Sequence, residues 1–496
     1  MHTVLYAQSE FQQEVNHIID VELDVVNKTL KGHIQTTYVN NSPDTLHFLY
    51  YHLWPNAYRN SETKFAKQQL LLQNASFEYA SDAYRGYIDF DTCYVDGKQV
   101  ILKEAFSGVV DIAIIPLNKA LRPGESVDIE GDFFVKIPIV ISRLGWMEND
   151  FCITQWYPKP AVYDIYGWHP MSYLDMGEFY SEFGKFEVNI TLPDNYIVAA
   201  TGNLINSKEL TRMEDYAKLC SMVKNKKNVR QYGDSTKMKT ISYVCENIHD
   251  FAWFASSDFA INRESYYVES SDKYVTCWAF FNKSHSKLWS DATQYIGKTI
   301  NLMTENVGEY PYNHCTAVDA PIGAGGGMEY PTITVVSADN KLSLERVIAH
   351  EVIHNWFYGM IASNERNNSW IDEGFTSFYE AKYFDTYFSE QGLIEELLGV
   401  KANIHKLNEV SGRYMREFAW AYLMSENIVQ SGSLNSEEMS VLNYFILSYY
   451  KPVSALYTLQ EYLGEDEFRN LMRAFFDEYQ YKHVYPENLK ASFNEN

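Results

Sequence analysis

The residues with the plainest chemical reading stand together in the run His350-Glu351-Val352-Ile353-His354. Side chains four apart on a helix lie one above the other, so both imidazoles can face a single metal ion. Glu351 is rotated off that axis and can reach a water held there. A catalytic zinc site keeps three protein ligands and one open position. Glu373 fits the third place, after eighteen intervening residues and inside Trp370-Ile371-Asp372-Glu373-Gly374-Phe375. One zinc ion per chain is expected, with Glu351 as general base. Asn355, Asn367 and Asp372 lie close in sequence to these ligands and are candidates to orient them.

These groups need helices to hold them. Leu344, Val347, Ile348 and Val352 form an apolar stripe and Gly359 a stop, which predicts a helix over 342–358. Glu373 is expected on a second helical segment after a loop, and helical spacing is read over 375–388 just beyond it. Upstream, Gly325-Gly326-Gly327-Met328-Glu329 combines glycines that let a backbone approach a ligand with a carboxylate that can pair with an ammonium. Read alone, the stretch is equally a glycine-rich turn with an incidental Glu.

The combination HExxH, eighteen residues and Glu, preceded by Gly326-Gly327-Met328-Glu329-Tyr330-Pro331, resembles the pattern of the aminopeptidase N-type gluzincin metallopeptidases. That family also includes leukotriene hydrolase. The resemblance implies zinc on His350, His354 and Glu373, and a peptide substrate whose free N-terminus is bound by Glu329 beside Gly326, Gly327 and Met328. Two positions depart from the family pattern. Tyr330 stands where Asn is usual. Tyr157, in Thr154-Gln155-Trp156-Tyr157-Pro158, stands where a Glu or Gln usually makes a second amine contact. Amine recognition is therefore expected to rest on Glu329, aided by Gln155. The family's oxyanion-stabilising tyrosine precedes a Lys-Gly pair by two residues. In Tyr449-Tyr450-Lys451-Pro452 this assigns Tyr449, with Tyr450 a rival because Pro452 replaces the Gly. The implied activity is a zinc aminopeptidase. An endopeptidase or epoxide hydrolase on the same metal centre is the enzymatic alternative, and a non-catalytic peptide-binding module the alternative of another class.

Length and composition agree with an enzyme of this kind. At 496 residues two domains are the natural expectation. Hydrophobic content of 46% and charged content of 21% describe a soluble globular protein. The net charge of −24 argues against a nucleic-acid partner, because phosphate binding needs a basic face. Six cysteines without CxxC pairs indicate neither a disulfide framework nor a cysteine zinc site. No apolar run approaches the length of a membrane span. Met1–Gln8 contains a short apolar piece, Val4 to Ala7. If it is the remnant of a secretion signal the protein is exported, periplasmic or extracellular; otherwise it is cytoplasmic.

The first half carries period-2 alternation. Ile19, Val21, Leu23 and Val25 alternate with polar residues, and after a turn at Asn27-Lys28 so do Ile34, Thr36 and Tyr38. Val127, Ile129, Phe133 and Val135 repeat the pattern, as do Phe186, Val188, Ile190 and Leu192. After about residue 260 the period changes to 3.6, ending in a helix pair with Leu456, Leu459 and Leu463 before Gly464 and Phe468, Leu471, Met472 and Phe475 after it. The periods predict an all-β sandwich or saddle over 1–259 and a mainly α domain over 260–496, and the resemblance implies that the second is a thermolysin-like catalytic domain. Since most members of the resembled family carry a further large helical C-terminal domain, the resemblance leads to the expectation that this domain is absent or truncated here.

Overall fold

Ile19, Val21 and Leu23 turn inward from the strand Glu14–Asp24 while Asp20 and Glu22 face solvent, so one pleat face seals a core. Lys28 at φ 59° makes the turn into Thr29–Val39, and the hairpin register sets Ile19 opposite Ile34. These strands begin a computed structural model that describes residues 10–323, 325–388 and 412–495. Met1–Gln8 lies outside the described residues.

The hairpin sits at the centre of a nine-stranded sheet. Ser126–Lys136 pairs antiparallel with Thr29–Val39 on one side. Gly184–Pro193 runs parallel to Glu14–Asp24 on the other and is followed by Met238–Ile248. Phe186, Val188, Ile190 and Leu192 are all buried. The stretch 224–237 between the helix Ser207–Met222 and the strand Met238–Ile248 is a loop with one short helical turn at Lys226–Asn228.

The second half does not begin with helices. A five-stranded sheet comes first, from Phe259–Val268, Lys273–Asn282, His314–Asp319, Ile333–Val336 and the edge strand Gly327–Tyr330. The middle three strands are parallel, the first two of them joined through the helix Ala292–Asn306, and both outer strands, Phe259–Val268 and Gly327–Tyr330, run antiparallel to their neighbours. From Lys341 onward the described chain is mainly helical. The helices Lys451–Leu463 and Glu465–Tyr479 meet at Gly464, whose φ of 90° is open to glycine without strain. Phe468, Leu471, Met472 and Phe475 bury the inner face of the last of them. Near the chain ends Gln12 donates to the Tyr481 carbonyl and accepts from the His483 N–H, tying the first strand region to the last helices.

All six cysteines are free and buried, none beside another pair of metal donors among the described residues. No helix of the described chain is long and apolar enough to cross a membrane.

Candidate active site

The first pillar is the helix Lys341–Ile353. Asn340 caps it by accepting from the Ser343 N–H at 2.9 Å, and Leu344, Ile348 and Val352 anchor it with no exposed surface. It ends five residues earlier than the sequence pattern predicts. His354 is already the C-cap, and the chain turns through Tyr358 at φ 103°. The Gly359 N–H bonds the His354 carbonyl at 2.8 Å, and a side chain at Gly359 would strike the Asn355 backbone. The stop is therefore a whole turn, not a single residue.

The second pillar, Glu365–Tyr387, starts ten residues before the segment predicted over 375–388. Asn364 caps it and Asn368, at φ −140° and ψ 46°, kinks it. Its first turns are buried yet polar, with Glu365, Arg366, Ser369, Asp372 and Glu373 all inside. That burial hides the apolar periodicity by which a helix is read.

Between the pillars His350, His354 and Glu373 bring one ligand atom each within 4.8 Å of one another. His350 Nδ1 bonds Glu380 Oε2 at 2.8 Å and His354 Nδ1 bonds Asp372 Oδ1 at 2.6 Å. With Nδ1 so committed, each ring turns Nε2 towards Glu373 Oε2, at 3.3 and 3.5 Å. A carboxylate on Nδ1 fixes the tautomer and raises the basicity of the ligating nitrogen. Arg346 Nε holds the other Glu380 oxygen at 3.0 Å. Two imidazole nitrogens and one carboxylate, oriented in this way, are a donor set that fits zinc. Asp372 was a sequence candidate for such orienting work; Glu380 was not.

Glu351 is 6% exposed and its Oε2 has no hydrogen-bond partner among the described residues. Burial pushes its carboxyl up to about 7. It lies against the edge strand so closely that a Cβ at Gly327 would collide with the carboxylate. Tyr449, on the wide helical turn Ile446–Tyr450, donates to Glu373 Oε1, and its ring lies 6.2 Å from that of His350. Among the described residues Tyr449, not Tyr450, makes that bond, although both line the cleft. Pro452 belongs to the same close approach. A side chain at Gly374 would strike its ring, so glycine beside Glu373 admits the proline.

The opposite wall is the edge strand Gly327–Tyr330 and a loop from the β-half. Glu329 is 4% exposed, and burial, then the neighbouring Glu178, hold its carboxyl well above the usual range. Met328 is buried under Arg143, whose Nε lies 2.9 Å from its sulfur. Arg143 also bonds Glu178 at 2.5 Å and Asp175 at 3.4 Å. Glu178 and Glu329 share the cleft with Gly326, Gly327, Glu351, both histidines and Tyr449, in a volume of about 640 Å³, the size range of small-molecule sites.

Gln155 is not in that wall. Its amide accepts from Tyr330 Oη at 3.0 Å and donates to Asp250 at 3.1 Å, and Tyr157 also donates to Asp250. Asp250 in turn is paired with buried Lys159. The expected helper is thus tied into a network behind Tyr330, and Glu178 occupies the wall instead. Asn355 holds the far end of the edge strand by accepting from the Thr332 N–H at 2.9 Å. Asn367 is exposed and bonds Asn435, away from the ligands. Sequence carried a signal for Glu380, seven residues or two helical turns after Glu373. Glu178 and Arg143 had none, being far from the motifs in irregular segments.

A family model, described as the peptidase family M1 domain, matches residues 292–496. This stretch is similar to the catalytic domain of peptidase family M1. The resemblance to aminopeptidase N-type gluzincins holds accordingly, and with it zinc as the implied metal. Aminopeptidase M1-A of Oryza sativa subsp. japonica is 25% identical over 217 residues, 41% of this chain. A probable aminopeptidase 2 of Sulfurisphaera tokodaii is 25% identical over 148 residues, 30% of this chain. The matches span only 23% and 17% of those relatives. An M1 zinc metallopeptidase from Deinococcus radiodurans has the same fold from end to end, with a TM-score of 0.61 and 14% identity over 98% of this chain and 90% of the other. A mutant of it bound to a Tyr-Ser-Ala substrate superposes with a TM-score of 0.60, at 14% identity over 98% of this chain and 91% of the other.

Proposed function

We propose that this chain is a zinc aminopeptidase, removing the N-terminal residue from peptides, with a domain boundary near residue 260. The observation that carries the reading is the pair of buried carboxylates, Glu329 and Glu178, facing the cleft next to the His350–His354–Glu373 triad. A buried pair of carboxyl groups at that place suits the α-ammonium of a peptide, whose charge favours their ionised form, and arrests it beside the metal site. Zinc on His350, His354 and Glu373 would polarise the scissile carbonyl and acidify the attacking water.

The other steps belong to the chain. Glu351, with a carboxyl near neutrality and in a dry position, takes the proton of the attacking water and returns it to the leaving amine. Gly326 and Gly327 leave the strand edge open to the substrate, and Met328 packs beneath it. Tyr449 presents a hydroxyl at the metal side of the cleft, where negative charge develops on the carbonyl oxygen. Its removal in Tyr449→Phe is expected to lower kcat roughly 10²–10³-fold with little change in KM. Steady-state kinetics beside Tyr450→Phe, which should retain near-normal kcat, check the assignment.

The test of the function uses Glu329→Gln. Hydrolysis of aminoacyl arylamides with a free amine should fall sharply, because a charge-assisted bond is replaced by a neutral one. The low activity on N-acetylated twins should stay unchanged. An equal loss on both substrates would show that the carboxylate is no amine anchor, and would favour an endopeptidase.

A further inference from the structure

A second cavity shares no lining residue with the catalytic cleft. Its floor is one face of the five-stranded sheet, where alternate residues point the same way. Thr276, Trp278 and Phe280 come from Lys273–Asn282, and His314 and Thr316 from its parallel neighbour His314–Asp319. The facing wall comes from the β-half, with Ala200, Gly202 and Leu204, and from Leu210 on the helix Ser207–Met222. The cavity holds about 180 Å³. An apolar cavity of about 150 Å³ is enough to take one benzene ring.

The lining selects the kind of ring. Trp278 and Phe280 are buried, with ring centroids 5.9 Å apart and planes at 22°, and they give the guest an aromatic surface. Charge is confined to the rim, where Arg263 bonds Glu214 at 3.0 Å and lies over the Trp278 ring. That pair neutralises itself and leaves nothing inside to balance a charged guest. His314 offers the polar contact. Burial alone pushes its imidazole down to about 4, with no hydrogen bond to offset it. The neutral ring has one donor and one acceptor nitrogen, which suits a hydroxyl.

Two of these lining residues are bonded to the turn that shapes the cleft. Thr332 is fully buried in the two-residue turn between Gly327–Tyr330 and Ile333–Val336. Its φ of 67° is left-handed, a conformation that a β-branched residue adopts only under constraint. Thr332 Oγ1 accepts from the Gly202 N–H at 2.9 Å, and its carbonyl accepts from the Thr316 N–H at 3.0 Å. Its own N–H donates to Asn355, the neighbour of His354, at 2.9 Å. Glu329 lies on the strand that enters this turn. One strained residue is thus held from the cavity on two sides and from the metal helix on the third.

We propose that this cavity is an effector site for an uncharged, single-ring aromatic molecule bearing a hydroxyl, of the phenol class, whose binding braces the Thr332 turn and tightens peptide binding in the cleft. The ring packs on Trp278 and Phe280 and the hydroxyl meets His314. A guest against Gly202 and Thr316 stiffens both supports of the turn, and linkage then requires substrate and guest to favour one another.

The experiment titrates the zinc-loaded protein with phenol, benzene and benzoate by calorimetry. It also measures KM for a leucine arylamide and amide hydrogen exchange across 327–336, each with and without saturating phenol. Phenol should bind once per chain, benzene about three- to tenfold more weakly for want of the hydrogen bond, and benzoate not at all. Phenol should lower KM about threefold and slow exchange in the turn. Leu210→Trp, which fills the cavity from its outer wall, should abolish phenol binding and the KM response while leaving basal turnover intact. His314→Leu should bind phenol no better than benzene. Thr332→Gly accepts the positive φ but loses the bond to Gly202, so it should bind phenol with no change in KM. No saturable phenol binding, binding that survives Leu210→Trp, or binding that leaves both KM and exchange unmoved would overturn the proposal. A wild type inactive on the arylamide sinks the aminopeptidase reading, and calorimetry and exchange then decide the effector site without it.

Discussion

Glu351→Gln is expected to bind zinc as the wild type does and to turn over at least 10²-fold more slowly, the scale of a lost general base. The substitution keeps size and removes only the ability to accept a proton. Glu351 is not among the three donors that would hold the metal, and its carboxylate rests against Gly327. Zinc content should therefore be indifferent to it. Elemental analysis and kcat measured on one preparation separate the two quantities. Near-normal turnover in the zinc-loaded variant would remove Glu351 from the mechanism.

The second large effect is the loss of the metal itself. His350→Ala deletes one of the three proposed ligands and strands two partners, Glu373 and Glu380, in a buried site. With one imidazole gone from the three-donor set, the variant is expected to hold well under one equivalent of zinc after dialysis and to show no chelator-sensitive turnover. A full equivalent by elemental analysis would mean that the ion is held elsewhere. Glu329, His354 and Asp372 are the other histidine-containing donor group among the described residues, so they are where it would be sought.

What could be read from the sequence follows from how locally each feature is encoded. His350, Glu351 and His354 sit on one helix, and four-residue spacing alone puts two of them on one face. Strands such as Gly184–Pro193 have one face buried, so Phe186 to Leu192 alternate visibly. The strands Gly327–Tyr330 and Ile333–Val336 are short and buried nearly throughout, and their residues show no alternation. For this reason the sheet over 259–336 was overshadowed by the helices that follow it. Glu178 escaped for another reason. Its meaning lies in proximity to Glu329 across a long stretch of chain, which no spacing records. Gln155 shows the reverse case, a residue given a role by motif position whose amide the fold spends on Tyr330 and Asp250.

The most direct measurement of the central claim follows the products from an unmodified peptide. The zinc-loaded protein is incubated with a peptide of several residues and with its N-acetylated twin, and both digests are read by mass spectrometry over time. The account predicts a ladder of fragments shortened one residue at a time from the free N-terminus, abolished by a chelator, and an intact acetylated twin. Internal fragments of equal abundance from both peptides would contradict it.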